Sequence, residues 1–174
     1  LCNELGLNFI ELNMNMPQYQ LNKIEVEEFK RIAQQYGISY TIHLDENLNF
    51  SDFNPYVSSA YIRTVTETIE LAKKLDISIL NMHLSKGVYF TLPDRKVYLF
   101  DEYKEQYLQS VKDFCKECES AIGDSNIKIC IENCNGFTEF QKKALHILLQ
   151  SPVFGLTFDI GHDHSSGNVD KPLI

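Results

Sequence analysis

The stretch IKICIENCNGF, residues 127–137, decides the fold, because it contains a short strand with two different faces. Side chains alternate between the faces of a strand, so the three isoleucines share one face, and Lys128, Cys130 and Glu132 share the other. A strand in an open sheet that is covered by helices on both sides needs apolar residues on both faces. We therefore infer that the polar face points into the lumen of a barrel and that Glu132 ends the strand.

The same pattern extends outward along the chain. Four further runs rich in β-branched and long apolar residues predict strands, namely Asn8–Leu12, Ile38–His43, Ile77–Leu84 and Phe154–Ile160. Helical patterns alternate with them, over Lys23–Tyr36, from Asn54-Pro55 onward, over Phe100–Ile122 and from Thr138 onward. This alternation predicts βαβ units and a parallel sheet.

The spacing of the strands selects between two α/β architectures, an open doubly wound sheet and a barrel. Successive strands begin about 36 residues apart, so eight such units would need roughly 290 residues, as in an eightfold barrel. Together with the polar inner face, this predicts an incomplete (β/α)8 TIM barrel, with residues 1–174 as a single partial domain. Leu1–Gly6 is typical of the last turn of a helix, so we expect the sequence to begin within a fold.

Composition excludes several classes of protein. Hydrophobic residues make up 44% and charged residues 23% of the chain, which indicates a globular domain. The net charge of −8 argues against nucleic acid as the main partner, because such binding depends on neutralising phosphates. No apolar run is long enough to span a membrane. Five cysteines and no recognisable signal peptide favour a reducing cytoplasm, and we expect Cys115 and Cys118 to be buried thiols on one helix.

Residues of the types that bind metals in proteins lie at the end of every predicted strand. In chain order they are Glu11, His43, His83, Glu132 and Asp159, and His162 follows closely. The carboxyl ends of parallel strands meet at one edge, so these side chains should converge. Any one of them alone is more simply explained as a helix cap or a structural residue, but five with the same parity favour a joint site. Glu11 is the weakest member, since it could simply cap the next loop.

The donor types in this set suit a divalent metal such as zinc, manganese or cobalt. His164 lies two residues after His162, and we expect it to be an outer contact to the substrate or the metal. The segment Ser85–Lys96 is long for a βα loop, and it carries Lys86, which would contact an anionic substrate if the segment acts as a lid. A variable surface loop is the alternative interpretation of this segment.

Four motifs resemble those of the xylose isomerase-like barrel superfamily. They are ICIENCNGF around Glu132, GLTFDIGHDH around Asp159 and His162, YTIHLDENLNF at His43 and ILNMHLSKG at His83. The superfamily includes sugar-phosphate isomerases and epimerases, and apurinic endonucleases of the endonuclease IV type. The resemblance covers nearly the whole chain and implies strands two to six of the barrel.

The resemblance also implies roles for individual residues. Glu132 and Asp159 would bind a divalent metal, Glu132 would also act as the acid or base of an epimerase, and His162 would contact the substrate. In the endonuclease branch, His43 and His83 would add ligands for a site with several zinc ions. Two more ligands, usually a His and a Glu, come from the seventh and eighth strands of the family, which are not part of this sequence.

Two enzymatic functions and one non-enzymatic function follow. The preferred hypothesis is a metal-dependent sugar or sugar-phosphate isomerase or epimerase that removes a proton next to a carbonyl group. The alternative is an endonuclease IV-like zinc phosphodiesterase acting on abasic DNA, which the pair of histidines favours and the acidic charge opposes. The third is a catalytically inactive barrel that binds a ligand or a partner. We expect a small sugar as substrate and allow for a homo-oligomer.

Overall fold

A computed structural model describes residues 4–169 of the chain. It contains a sheet of five parallel strands, which lie side by side in the order in which they occur along the chain. Its members are β1 (Phe9–Asn13), β2 (Ser39–His43), β3 (Ile79–Met82), β6 (Lys128–Glu132) and β7 (Phe154–Thr157). The alternation of strands and helices and the parallel pairing confirm the predicted α/β class and the barrel-like layout, here as a partial barrel.

Helices alternate with these strands along the chain, and the last of them follows β7. They are α1 (Val26–Tyr36), α2 (Pro55–Lys74), α3 (Leu99–Glu102), α4 (Lys104–Ile122), α5 (Glu139–Leu148) and α6 (Ile160–Ser165). The predicted starts of two helices are confirmed. Asn54 caps α2 by accepting from the backbone N–H of Tyr56, and Thr138 forms a capping box with Gln141 at the start of α5.

The two faces of the sheet differ as the alternation of side chains predicts. Ile42, Leu80, Ile129 and Ile131 point toward the helices and are completely buried. On that side, Phe114 of α4 stacks on Phe50 with ring centroids 3.8 Å apart. The opposite, inner face carries the polar and titratable residues of the same strands, and the apolar core therefore lies between the sheet and its helices.

Several boundaries differ from the sequence prediction, and three of the differences have a clear structural cause. β7 ends at Thr157 rather than at residue 160, because the chain turns into α6 and leaves Ile160 exposed. α1 begins at Val26 rather than at residue 23, because Ile24 adopts an extended conformation and is buried. The predicted helix over Phe100–Ile122 is interrupted at Tyr103, where the backbone leaves the helical region.

The loop after β3 contains a feature that the sequence patterns did not indicate. Its residues form a two-stranded antiparallel hairpin of β4 (Tyr89–Thr91) and β5 (Lys96–Tyr98). Lys96 lies over the ring of Tyr89, with its Nζ atom 4.4 Å from the ring centroid. The exposed aromatic residues of the hairpin gave no alternating pattern, and a strand was therefore not expected there.

Three further expectations from the sequence can be compared with the structure. The helical turn expected over Leu1–Gly6 falls partly on residues 1–3, which lie outside the described residues. Within residues 4–169, none of the helices combines the length and the apolar character that crossing a membrane requires. Cys115 and Cys118 are buried on α4, as expected.

Candidate functional site

Two histidines enter the site from neighbouring strands. His43 is the last residue of β2, and His83 directly follows β3. Their rings lie nearly perpendicular, with centroids 5.0 Å apart, and both side chains are about nine-tenths buried. The carbonyl oxygen of Leu44 lies 2.7 Å from His43 Nδ1 and can only accept a hydrogen bond. His43 therefore donates from Nδ1 and turns Nε2 toward the inner face.

Glu132 lies at the centre of the site. One carboxylate oxygen, Oε2, is 3.5 Å from His43 Nε2. The other, Oε1, is 3.8 Å from His83 Nε2 and 4.0 Å from His162 Nε2. A single buried carboxylate at the end of β6 thus faces three imidazole rings from three different segments of the chain.

The charges of these groups depend on one another. Burial alone would lower the pKa of His43, but the contacts with the Glu132 carboxylate, the Leu44 carbonyl and the Glu46 carboxylate raise it to about 9. Contacts with His43 and His83 hold the pKa of Glu132 well below its usual range, despite its burial. Glu132 is therefore a carboxylate at neutral pH and can act as a ligand or accept a proton.

Asp159 reaches the site from a loop and not from a strand end as predicted. It is the N-cap of α6, and its Oδ1 accepts from the backbone N–H of His162 at 2.6 Å. Asn133 fixes this loop through its side chain, because Oδ1 accepts from Asp159 N at 2.7 Å and Nδ2 donates to Asp159 O at 3.0 Å. Glu132, Asp159 and His162 each offer a donor atom within 4.8 Å of the others.

Two residues that the sequence analysis did not assign to the site also lie within it. Glu46 Oε2 is 2.9 Å from His83 Nδ1, and Oε1 is 3.8 Å from His43 Nε2. Cys134 joins His83 and His162 in a further group of donor atoms. Glu46 follows His43 by three residues, and Cys134 follows Glu132 by two. Their position in the loops after strands β2 and β6 was therefore the feature of the sequence that could have indicated a place in the site.

Glu132, Asp159 and the three histidines at 43, 83 and 162 are called the cluster below. Glu11, another predicted site residue, lies away from this cluster. It occupies the middle of β1 rather than its end, and its neighbour in register is Thr41, two residues below His43. Its carboxylate accepts from the side chains of Asn81 and Thr41. It borders a cavity of about 420 Å³ on the inner face, below the cluster.

Lys86 and His164 do not join the cluster either. Lys86 Nζ donates to the carbonyl oxygen of Asn135 at 3.2 Å and so links the loops that follow β3 and β6. His164 is exposed on α6 and belongs to none of the groups of donor atoms found within residues 4–169. A role for either residue in binding substrate stays a prediction.

The cluster has the chemistry of a divalent metal site. It combines imidazole nitrogens with carboxylate oxygens, which zinc, manganese and cobalt accept. His83 Nε2 is buried and has no hydrogen-bond partner in the part of the chain that the structure describes. A buried nitrogen without a partner is costly, and a cation bound through its lone pair would relieve that cost. The residues present therefore fit a metal ion.

Comparison with known proteins identifies relatives of the chain. A match to the xylose isomerase-like TIM barrel family extends over residues 1–172. An uncharacterized protein of Methanocaldococcus jannaschii is 23% identical over 145 residues, which cover 82% of this chain and 53% of that protein. The chain spans about half the length of the curated relatives it matches.

Solved structures of the same fold superpose on nearly the whole chain. A D-tagatose 3-epimerase-like protein matches with a TM-score of 0.72 and 22% identity, over 93% of this chain and 60% of its own. The IolI protein with a bound zinc atom matches with a TM-score of 0.73 and 16% identity, over 99% of this chain and 60% of its own. Structures of 3-epimerases of D-psicose and L-ribulose match as well. At these identities the likeness establishes the fold.

Proposed function

The chain belongs to the xylose isomerase-like TIM barrel family, and from this premise we propose that its protein is a metal-dependent sugar or sugar-phosphate isomerase or epimerase. The reaction would begin with removal of a proton from the carbon next to a carbonyl group. Sugar epimerases recur among the structures that share this fold, which supports the substrate class. Because the chain is only part of the length of its relatives, the activity is proposed for the whole protein.

One observation carries the proposal: the Glu132 carboxylate lies within 4.0 Å of three imidazole nitrogens at one edge of the sheet. We propose Glu132, Asp159, His43 and His83 as the metal-binding residues, with zinc, manganese or cobalt as the ion. A bound divalent cation would supply Lewis acidity toward the carbonyl and a neighbouring hydroxyl oxygen of the sugar.

Glu132 and His162 are the proposed catalytic residues. Glu132 is ionised at neutral pH, and we propose that one of its carboxylate oxygens takes the proton from the carbon. His162 is the most open of the three imidazoles, with 36% of its side chain exposed, and it lies where a substrate can reach it. It would bind a sugar hydroxyl and move a proton at that oxygen. An epimerase also needs a second proton carrier on the opposite face, which we expect from strands outside this sequence.

Three further residues are proposed to contact the substrate. The ammonium group of Lys86 lies on the loop after β3 and suits a phosphate or another anionic group. Glu11 borders the cavity below the cluster, where a carboxylate can accept from sugar hydroxyls. His164, on α6, would lie at the outer rim. A cytoplasmic location and a homo-oligomeric state stay predictions, as does the single partial domain.

A second candidate function rests on the pair of histidines. His43 and His83 both approach Glu132, and an epimerase with a single metal ion does not need both. An endonuclease IV-like phosphodiesterase with several zinc ions would use them. The net charge of −8 opposes this alternative, because binding of DNA usually requires a basic surface. A barrel that has lost catalysis is the third possibility.

One set of assays separates the three functions. The full-length protein is purified, its metal content is measured, and it is incubated with ketoses and sugar phosphates with and without Mn²⁺. Metal-dependent epimerisation or isomerisation that is lost in Glu132→Gln is the expected result. Incision of abasic-site DNA without turnover of any sugar would favour the endonuclease, and a protein without metal or activity would favour the inactive barrel.

A further inference from the structure

Glu46 contacts the edge of His83 that points away from Glu132. Its Oε2 atom lies 2.9 Å from His83 Nδ1, whereas His83 Nε2 faces Glu132 at 3.8 Å. The two nitrogens of one ring therefore have different environments. Nδ1 has a carboxylate partner on the loop, and Nε2 is buried and has no hydrogen-bond partner among residues 4–169.

The partner of one imidazole nitrogen determines what the other can do. A neutral ring carries one proton, and a carboxylate or carbonyl at hydrogen-bond distance holds that proton on the nearer nitrogen. The lone pair of the other nitrogen is then available to a metal. The Leu44 carbonyl has this relation to His43, at 2.7 Å from Nδ1, and Glu46 has it to His83.

The backbone holds Glu46 in place for this contact. Its N–H donates to Asn15 Oδ1 at 3.1 Å, and the Asn15 side-chain amide donates to Asn13 Oδ1 at 2.8 Å. Asn13 is the last residue of β1, so the loop is tied to the edge of the sheet. Two residues further on, Leu48 is buried and anchors the other side of the loop. The backbone of Glu46 is thus tied to the sheet, although 47% of its side chain is exposed.

We propose that Glu46 is a positioning residue that keeps the proton of His83 on Nδ1 and so presents Nε2 to a divalent cation. The inference rests on the proposed role of His83 as a metal-binding residue. Glu46 also forms a group of possible donors with His43 and His83, but it is not one of the four proposed metal-binding residues. We assign its Oε2 to the Nδ1 proton of His83, so that its effect on the cation passes through that ring. Loss of an outer-shell partner of this kind typically costs 10- to 100-fold in metal affinity.

The first measurement identifies the ligating nitrogen directly. Long-range ¹H–¹⁵N spectra of the full-length, zinc-loaded protein report which His83 nitrogen carries the proton, and a ligated imidazole is neutral, so its tautomer is defined. We expect the proton on Nδ1 and the metal on Nε2. Ligation through Nδ1, or a His83 ring that binds no zinc, overturns the inference even if the protein epimerises sugars. The expected spectrum without sugar turnover would instead contradict the proposed function alone.

The second measurement tests Glu46 itself. Zinc affinity is determined by competition with a chromophoric chelator for Glu46→Ala and Glu46→Gln, with Asp45→Asn as the matched loss of charge from the same loop. We expect a 10- to 100-fold loss in the alanine variant, partial recovery in the glutamine variant, whose amide oxygen can still accept from Nδ1–H, and no change in the Asp45 variant. The role would be refuted if Glu46→Ala bound zinc as tightly as the wild type. It would also be refuted if Glu46→Ala and Glu46→Gln lost the same amount of zinc affinity.

Discussion

The two faces of the five-stranded sheet are built by the same strands and meet opposite requirements. The face toward the helices is packed with fully buried apolar side chains such as Leu80 and Ile131. The inner face carries Glu132, whose carboxylate is close to three imidazoles, and His83, whose Nε2 atom lacks a partner in the described part of the chain. The inner face therefore differs from the helix side in bringing a carboxylate and several imidazoles close enough together to hold a cation.

The inner face itself contains a second contrast. Its upper layer lies at the carboxyl ends of the strands and holds Glu132 and the histidines, and its lower layer lies nearer the middle of the strands and holds Glu11 and Asn81. In the lower layer, Asn81 donates to Glu11, and its side-chain oxygen accepts from Thr157 at 2.7 Å. These polar groups satisfy one another. In the upper layer the Glu132 oxygens stand 3.5 to 4.0 Å from three imidazole nitrogens, too far for strong hydrogen bonds and close enough to share a cation. Polar residues on an inner face therefore indicate a site only where they lack partners.

The largest effect is expected from Glu132→Gln on the inner face. The amide keeps the shape of the side chain but loses the charge that binds a cation and takes a proton. We expect kcat of the full-length protein on the proposed sugar substrate to fall about 100- to 10,000-fold. Glu139→Gln makes the same substitution on the exposed surface of α5 and should leave kcat unchanged. Comparable activity of wild type and Glu132→Gln would remove Glu132 from catalysis.

On the helix side, Phe114→Ala should act on stability instead. Phe114 is completely buried and stacked on Phe50, so truncation leaves a cavity and costs about 3–5 kcal/mol. For a domain of this size that corresponds to a decrease in Tm of roughly 6–20 °C. Phe90→Ala, at an exposed position of the hairpin, serves as the control and should shift Tm much less. A small shift for Phe114→Ala would mean that this face tolerates cavities.

The sequence was most informative where one physical rule acts alone. The alternation of side chains in β6 separates Ile129 and Ile131 from Cys130 and Glu132, and the structure confirms that the isoleucines face the helices. The helix caps at Asn54 and Thr138 are also local, since each depends on residues two or three positions away. These features need no knowledge of distant contacts.

Prediction was poorer where tertiary contacts compete with local preference. Asp159 was expected at the end of a strand, but its pairing with Asn133 and its capping of α6 end β7 at Thr157. Glu46 could not be recognised from alternation, because it lies on a loop and reaches His83 from a different βα unit. Lys86 and His164 have no sequence signal beyond their proximity to ligands, and their roles stay predictions.

If the proposed metal is bound, its removal should destabilise the protein through the inner face alone. A ligand that binds only the folded state adds about 2.7 kcal/mol at a hundred times its Kd. We therefore expect a chelator to lower the Tm of the full-length protein, and zinc or manganese to restore it. Glu132→Gln should not respond to the chelator, whereas Phe114→Ala should respond as the wild type does, because its site is intact. An unchanged Tm of the wild type after chelation would contradict a resident metal.

The smallest effect is expected from Glu11→Gln in the lower layer of the inner face. Its comparison with Glu132→Gln tests whether the two layers differ in function. The amide retains an oxygen that can accept from Asn81, so the hydrogen bond between the two side chains is kept and stability should change by less than about 1 kcal/mol. If Glu11 binds a sugar hydroxyl, loss of the charge should raise KM up to about fivefold and leave kcat unchanged, since the contact is made equally before and during the reaction. Steady-state kinetics of the full-length protein measure both constants. A fall in kcat comparable to that of Glu132→Gln would place Glu11 in the reacting centre, and the distinction between the two layers would then be wrong.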